Sequence, residues 1–132
     1  MAFLKTKRDP SFYIAAIGAS AGGLDALQKL ISHLPGDIKN IAFVIVQHLS
    51  PNYKSMLVQS LSSQTKLKVL EIKNTVSVKA GTIYITPPDH EITIRKGKLY
   101  LTKPPRTYGP RPSIDSLFSS LGMDQKGKSI GI

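Results

Sequence analysis

Two residues of this chain are of types that can share a proton-transfer task. Ser20 lies in Gly18-Ala19-Ser20-Ala21-Gly22-Gly23, and His48 lies in Val46-Gln47-His48-Leu49. A serine hydroxyl is a weak nucleophile at neutral pH until a base removes its proton. An imidazole, with an unperturbed pKa of about 6.5, suits that exchange. Together they would support acyl transfer: attack on an ester carbonyl, an acyl-enzyme, then release by a water that the same imidazole activates. With no cysteine in 132 residues, serine is the natural nucleophile, and disulfides and thiolate metal sites are excluded. The route needs no metal and no cofactor.

The elements that must position this pair can be read on either side of it. Tyr13-Ile14-Ala15-Ala16-Ile17 is a strongly apolar run, and Leu24 to Leu34 reads as a helix, so Ser20 falls in a strand-to-helix turn with the pattern of a nucleophile elbow. Glycines there imply positive φ or very close backbone approach. The helix start would leave N–H groups unpaired beside Ser20, which makes Ala21, Gly22 and Gly23 the candidate oxyanion and turn residues. Glycine-rich turns of this kind also hold phosphates in nucleotide-binding folds, or merely let a helix pack closely on its strand. The second strand, Ile41-Ala42-Phe43-Val44-Ile45-Val46, is continuously apolar, as expected of a strand covered on both faces, and runs into Gln47-His48. In an open α/β sheet the crevice lies at the carboxyl ends of the strands, so Ser20 and His48 would share it. A dinucleotide fold would want an acidic residue near the end of this strand, and none stands there.

Further along, Ser50 or Asn52 can cap a helix over Ser55 to Ser63, and Lys68-Val69-Leu70-Glu71-Ile72 is a third strand. The β-α-β-α-β order implies a doubly wound, mainly parallel sheet with right-handed crossovers, in three layers. Gly81 to Thr86 is apolar, and Glu91–Arg95 and Lys98–Thr102 alternate around Lys96-Gly97, the signal of an antiparallel hairpin at the sheet edge. Pro104 to Pro112 reads as an irregular loop over the crevice, and Ser113 can cap a last helix with Ile114, Leu117, Phe118 and Leu121. Residues 1–11 read as a tail or linker and 12–132 as one domain. Ser129-Ile130-Gly131-Ile132 looks like the opening of a central strand, from which we expect the domain to be truncated at its carboxyl end.

The formal charge of +10 raises nucleic acid as a partner, but the basic residues are spread out with little aromatic interleaving, which favours a solvated surface that assists approach to an acidic protein. No segment has the length of a membrane span or the centre of a signal peptide, so a cytoplasmic protein is expected. Of the other candidates, His33 sits near a helix end, where a cation suits the dipole. His90, after Pro87-Pro88-Asp89, is either a substrate-rim residue or an ordinary hairpin contact. Arg111 could hydrogen-bond a substrate carboxylate or carbonyl. Asp115 could orient the imidazole, yet first-turn placement in a helix explains it equally well.

Taken in order, several segments resemble the catalytic domain of the chemotaxis receptor methylesterase, protein-glutamate methylesterase. They are Ile17 to Gly23, Val46-Gln47-His48-Leu49, Gly81 to Pro88 with His90, Arg111-Pro112-Ser113-Ile114-Asp115, and Ser129 to Ile132. Ala21 after the serine and His48-Leu49-Ser50-Pro51 look especially like methylesterase domains fused to a methyltransferase. The resemblance implies that Ser20 is the nucleophile and His48 its base, acting on γ-glutamyl methyl esters of a receptor's cytoplasmic helices, with glutamine deamidation in some members. The family's triad aspartate falls just after the strand that begins at Ser129, hence beyond Ile132. The family often has threonine where this chain has Ala21. A nucleotide-binding domain and a non-catalytic interaction module remain the alternative readings.

Overall fold

The computed structural model describes residues 11–47, 56–103 and 114–132. Strand β1 (Tyr13–Ala19) passes through a 3-10 turn (Ala21–Gly23) into helix α1 (Leu24–Ser32), followed by β2 (Ile41–Gln47) and helix α2 (Leu57–Ser62). Next come β3 (Lys68–Glu71), β4 (Val76–Ser77), β5 (Thr82–Ile85), β6 (Glu91–Arg95) and β7 (Lys98–Thr102). Helix α3 (Ile114–Gln125) and strand β8 (Ser129–Gly131) close the described chain.

Five parallel strands form a sheet in the order β3-β5-β2-β1-β8. The apolar runs of β1, β2 and β5 are buried on both faces because alternate residues serve two cores. On one side Ala15, Ile17, Phe43, Ile45, Ile83 and Ile85 meet Leu27 and Ile31 of α1 and Leu57 and Leu61 of α2. On the other, Ile14, Ala16, Val44, Val46 and Tyr84 meet Leu117 and Leu121 of α3. This is the expected three-layer arrangement. Ser129 onward forms a strand as read, β8, pairing with β1 at Ile14↔Ser129, but it stands at the edge of the described sheet rather than its centre; Ile132 continues the ladder by accepting a bond from Gly18 N–H at 2.9 Å.

The hairpin forms as expected, with Lys96 and Gly97 both at positive φ (50° and 71°) in a two-residue loop between Arg95 and Lys98. Its place differs from expectation. Rather than extending the parallel sheet at an edge, it joins β4 in a separate antiparallel sheet of order β4-β7-β6. The reason is its one apolar face: Ile92, Ile94 and Leu99 are buried against the same core as α3, out of contact with water. Two side chains of α3 fix it there. Ser120 Oγ accepts from Ile94 N–H at 3.0 Å, and the Asp124 carboxylate accepts from Lys96 and Gly97 N–H.

Helix α2 is shorter than the expected Ser55–Ser63; Ser55 lies outside the described residues. So do residues 1–10, Ser50, Asn52, the proline-rich stretch and Ser113. Among the described residues no helix is long and apolar enough to cross a membrane.

Candidate active site

The strand order defines where a ligand can reach the sheet. From β1 the chain crosses to β2 by way of α1 on one face, and it enters β8, on the other side of β1, by way of α3 on the opposite face. The helices therefore diverge beyond the carboxyl end of β1, and such a switch point is where open α/β sheets bind their ligands. Ser20 is the first residue past that end, and its side chain is exposed.

The local backbone departs from the expected elbow. Ser20 is extended (φ −81°, ψ 173°) and stands at the cap position of the 3-10 turn, where it makes no side-chain cap hydrogen bond. Its carbonyl accepts the first turn bond, from Gly23 N–H at 2.9 Å. The N–H groups of Ala21 and Gly22 precede that bond and so project from the helix start, as an oxyanion site requires. None of Gly18, Gly22 and Gly23 is at positive φ. Close approach is what two of them provide: a Cβ on Gly18 would fall 2.6 Å from Ile114 Cγ2, and one on Gly23 would fall 3.1 Å from Ala19 Cβ. A Cβ on Gly22 would meet nothing within 4 Å.

His48 lies outside the described residues. The residue before it, Gln47, is buried and pairs with Ala19, the residue before Ser20. His90 stands at the same end of the sheet, half-buried ahead of β6, and its Nδ1–H donates to the Pro88 carbonyl at 2.9 Å. That bond leaves Nε2 as the acceptor nitrogen of a neutral ring. Arg111 is outside the described residues. Asp115 is exposed in the first turn of α3, where a carboxylate suits the positive helix end. His33 caps the end of α1 and bonds the Lys29 carbonyl through Nδ1 at 2.7 Å, a helix-terminal role remote from the site.

One group at this end escaped the sequence reading. Thr86, just past β5, is 3% exposed, and its Oγ1 has no hydrogen-bond partner among the described residues. Its backbone N–H bonds the Ile45 carbonyl, which places it beside the end of β2. The available signal was a hydroxyl closing an otherwise apolar strand.

Fold and geometry together define a three-layer α/β domain with an exposed serine at its switch point and helix-start donors beside it. The sequence profile of the family described as CheB methylesterase matches residues 15–132, and the chain belongs to that family. The protein-glutamate methylesterase/protein-glutamine glutaminase of Trichodesmium erythraeum is 36% identical over 123 residues, covering 90% of this chain and 35% of that protein. The protein-glutamate methylesterase FrzG of Myxococcus xanthus is 33% identical over 129 residues, covering 97% of this chain and 38% of that protein. The crystal structure of the Thermotoga maritima CheB methylesterase catalytic domain superposes with a TM-score of 0.81 at 31% identity, over 92% of this chain and 66% of that one. The chain thus spans about a third of the length of these curated relatives.

Proposed function

We propose that this domain hydrolyses γ-methyl esters of glutamate on the cytoplasmic helices of chemotaxis-type receptors, and glutamine side-chain amides by the same route, in a protein that also carries regulatory or methyltransferase domains. Ser20 Oγ attacks the ester carbonyl carbon while His48 takes its proton. The oxyanion is held by the N–H groups of Ala21 and Gly22. The tetrahedral intermediate expels methanol, which leaves with the proton from His48, and the acyl-enzyme is cleaved by a water that His48 deprotonates. An aspartate beyond Ile132 orients the imidazole; Asp115, exposed and at a helix start, is not needed for that task. His90 and Arg111 line the substrate rim, with His90 presenting Nε2 as an acceptor.

The observation that carries this reading is the exposed Ser20 at the switch point, one residue past the Ala19↔Gln47 pair, so that the residue following each member of that pair in sequence belongs to the proposed pair. Methanol release from a methyl-esterified receptor fragment tests it, measured on the gene product that carries this domain. Ser20→Ala and His48→Gln should each abolish turnover, because members of a catalytic unit fail together. Near-normal turnover in either variant would remove that residue from the mechanism.

A further inference from the structure

Among the described residues, exposed lysines crowd one end of this domain, while Lys73 and Lys103 stand toward the other. Where the carboxyl end of the sheet holds Ser20, the amino end holds lysines. The registers put Ile14, Ser129 and Ala42 in one row across the sheet, and Lys68 beside Thr82 in the same row, since Phe43 pairs with Ile83. Exposed lysines lie at or within three residues before this row on each flank and in the middle: Lys68 on β3 and Lys66 ahead of it, Lys79 ahead of β5, Lys39 ahead of β2, and Lys126 and Lys128 ahead of β8. The hairpin turn brings two more. Gly97 O accepts from Val78 N–H at 2.9 Å, and Asp124 holds the turn from the end of α3, so the exposed Lys96 and Lys98 stand between Lys79 and Lys126. Of the carboxylates, Asp124 is occupied with backbone N–H groups and Asp37 is exposed nearby. Asp25, Glu71, Asp89, Glu91 and Asp115 all stand toward the carboxyl end, in the first turns of α1 and α3, at the end of β3 and around the start of β6.

We infer that this lysine row is a docking surface for an acidic helical protein, separate from the catalytic end and engaged while Ser20 is free. The partner's chemistry rests on the proposed function, because hydrolysis of glutamyl esters converts neutral side chains on helices into carboxylates. The dimensions fit such a partner. Adjacent strands lie about 4.8 Å apart, so the five-stranded edge, with lysines at every strand but β1, spans about 19 Å. Glutamates at i and i+3 or i+4 on a helix repeat every 5–6 Å or so. Among the described residues one arginine, the side chain that grips phosphate bidentately, adjoins the row: Arg95, which pairs with Lys98 and lies over the Tyr100 ring at 5.1 Å. Tyr13 is the single ring exposed among the lysines, where base stacking uses several. From Ile14 of the row to Ser20 is six residue steps, about 20 Å, so docking and catalysis can proceed together.

The test uses this chain and two soluble coiled-coil probes that carry Glu, or Gln in its place, at outward i and i+4 positions. The Glu probe should bind, the Gln probe should bind at least about tenfold more weakly, and raising salt from about 50 to 300 mM should weaken the Glu complex by a similar factor. Combining Lys66→Glu, Lys68→Glu and Lys126→Glu should abolish binding, and the corresponding Gln variants should weaken it. Circular dichroism should report an unchanged fold, since all three side chains are exposed. Ser20→Ala should bind like the parent chain. Equal binding of the two probes, or tighter binding of duplex DNA or phosphatidylserine vesicles than of the Glu probe, would overturn the inference. Phosphonylation of Ser20 and probe binding, both measured on the gene product that carries this domain with its lysines intact, separate the two proposals: normal labelling without probe binding sinks the docking surface alone, and probe binding without labelling sinks the hydrolase reading alone.

Discussion

Gly18→Ala isolates the contact that closes α3 onto the catalytic strand. Because Gly18 is not at positive φ, the backbone accepts alanine, and loss of glycine's unfolded-state entropy should by itself stabilise the domain by about 0.5–1 kcal/mol. The new Cβ, however, would lie 2.6 Å from Ile114 Cγ2 and 2.9 Å from Cδ1. Cγ2 sits on a β-branched carbon with few rotamers to move into, so the start of α3 must shift away from β1. Overpacking of this kind costs about 1–3 kcal/mol, which exceeds the entropic gain and leaves a net loss of about 1–2 kcal/mol. Ile114→Ala should relieve it, so the double variant should be more stable than the sum of the single changes by about 1–2 kcal/mol. Urea unfolding followed by far-ultraviolet circular dichroism supplies the cycle, since the chain has no tryptophan. Unchanged or increased stability in Gly18→Ala, or strict additivity with Ile114→Ala, would refute the close-approach argument.

Gly22→Ala is the matched control: with open space around its Cβ, it should leave the urea midpoint within about 0.5 kcal/mol of the parent. Thr86→Val should raise the midpoint, by up to about 1 kcal/mol, because it removes, at nearly constant shape, a buried hydroxyl with no partner among the described residues; a loss would show that the hydroxyl is satisfied. Tyr84→Phe should cost about 1–2 kcal/mol, since the phenol oxygen accepts from Lys79 N–H at 2.8 Å and donates to the Ser77 carbonyl, and no change would discount both bonds. Ser20→Ala should change stability by less than about 1 kcal/mol, as expected of an exposed side chain that caps nothing; a larger loss would assign it a structural task.

The sheet was legible because burial on both faces writes continuous apolar runs, and Ile14–Ile17 and Ile41–Val46 are such runs. The hairpin was legible for the opposite reason: alternation marks one buried face, and Lys96-Gly97 meets the demand for two residues at positive φ. Its destination was not. Ile92 and Ile94 specify a buried face without saying what covers it, and the two-residue β4 is too short to have a pattern. At the site, the glycines around Ser20 signalled a constraint but not its kind. Positive φ and close approach both favour glycine, and only the position of Ile114, almost a hundred residues on, decides between them. Thr86 was missed since a lone hydroxyl after an apolar strand has many ordinary partners, and its isolation appears only in three dimensions.

The central claim is that Ser20 is the reactive nucleophile at the switch point. Incubating the gene product that carries this domain with a fluorophosphonate and mapping the adduct by mass spectrometry tests it most directly. Selective phosphonylation of Ser20, slowed by at least about tenfold in His48→Gln, is the result expected. Labelling spread over the other serines, or Ser20 labelling indifferent to His48, would contradict it.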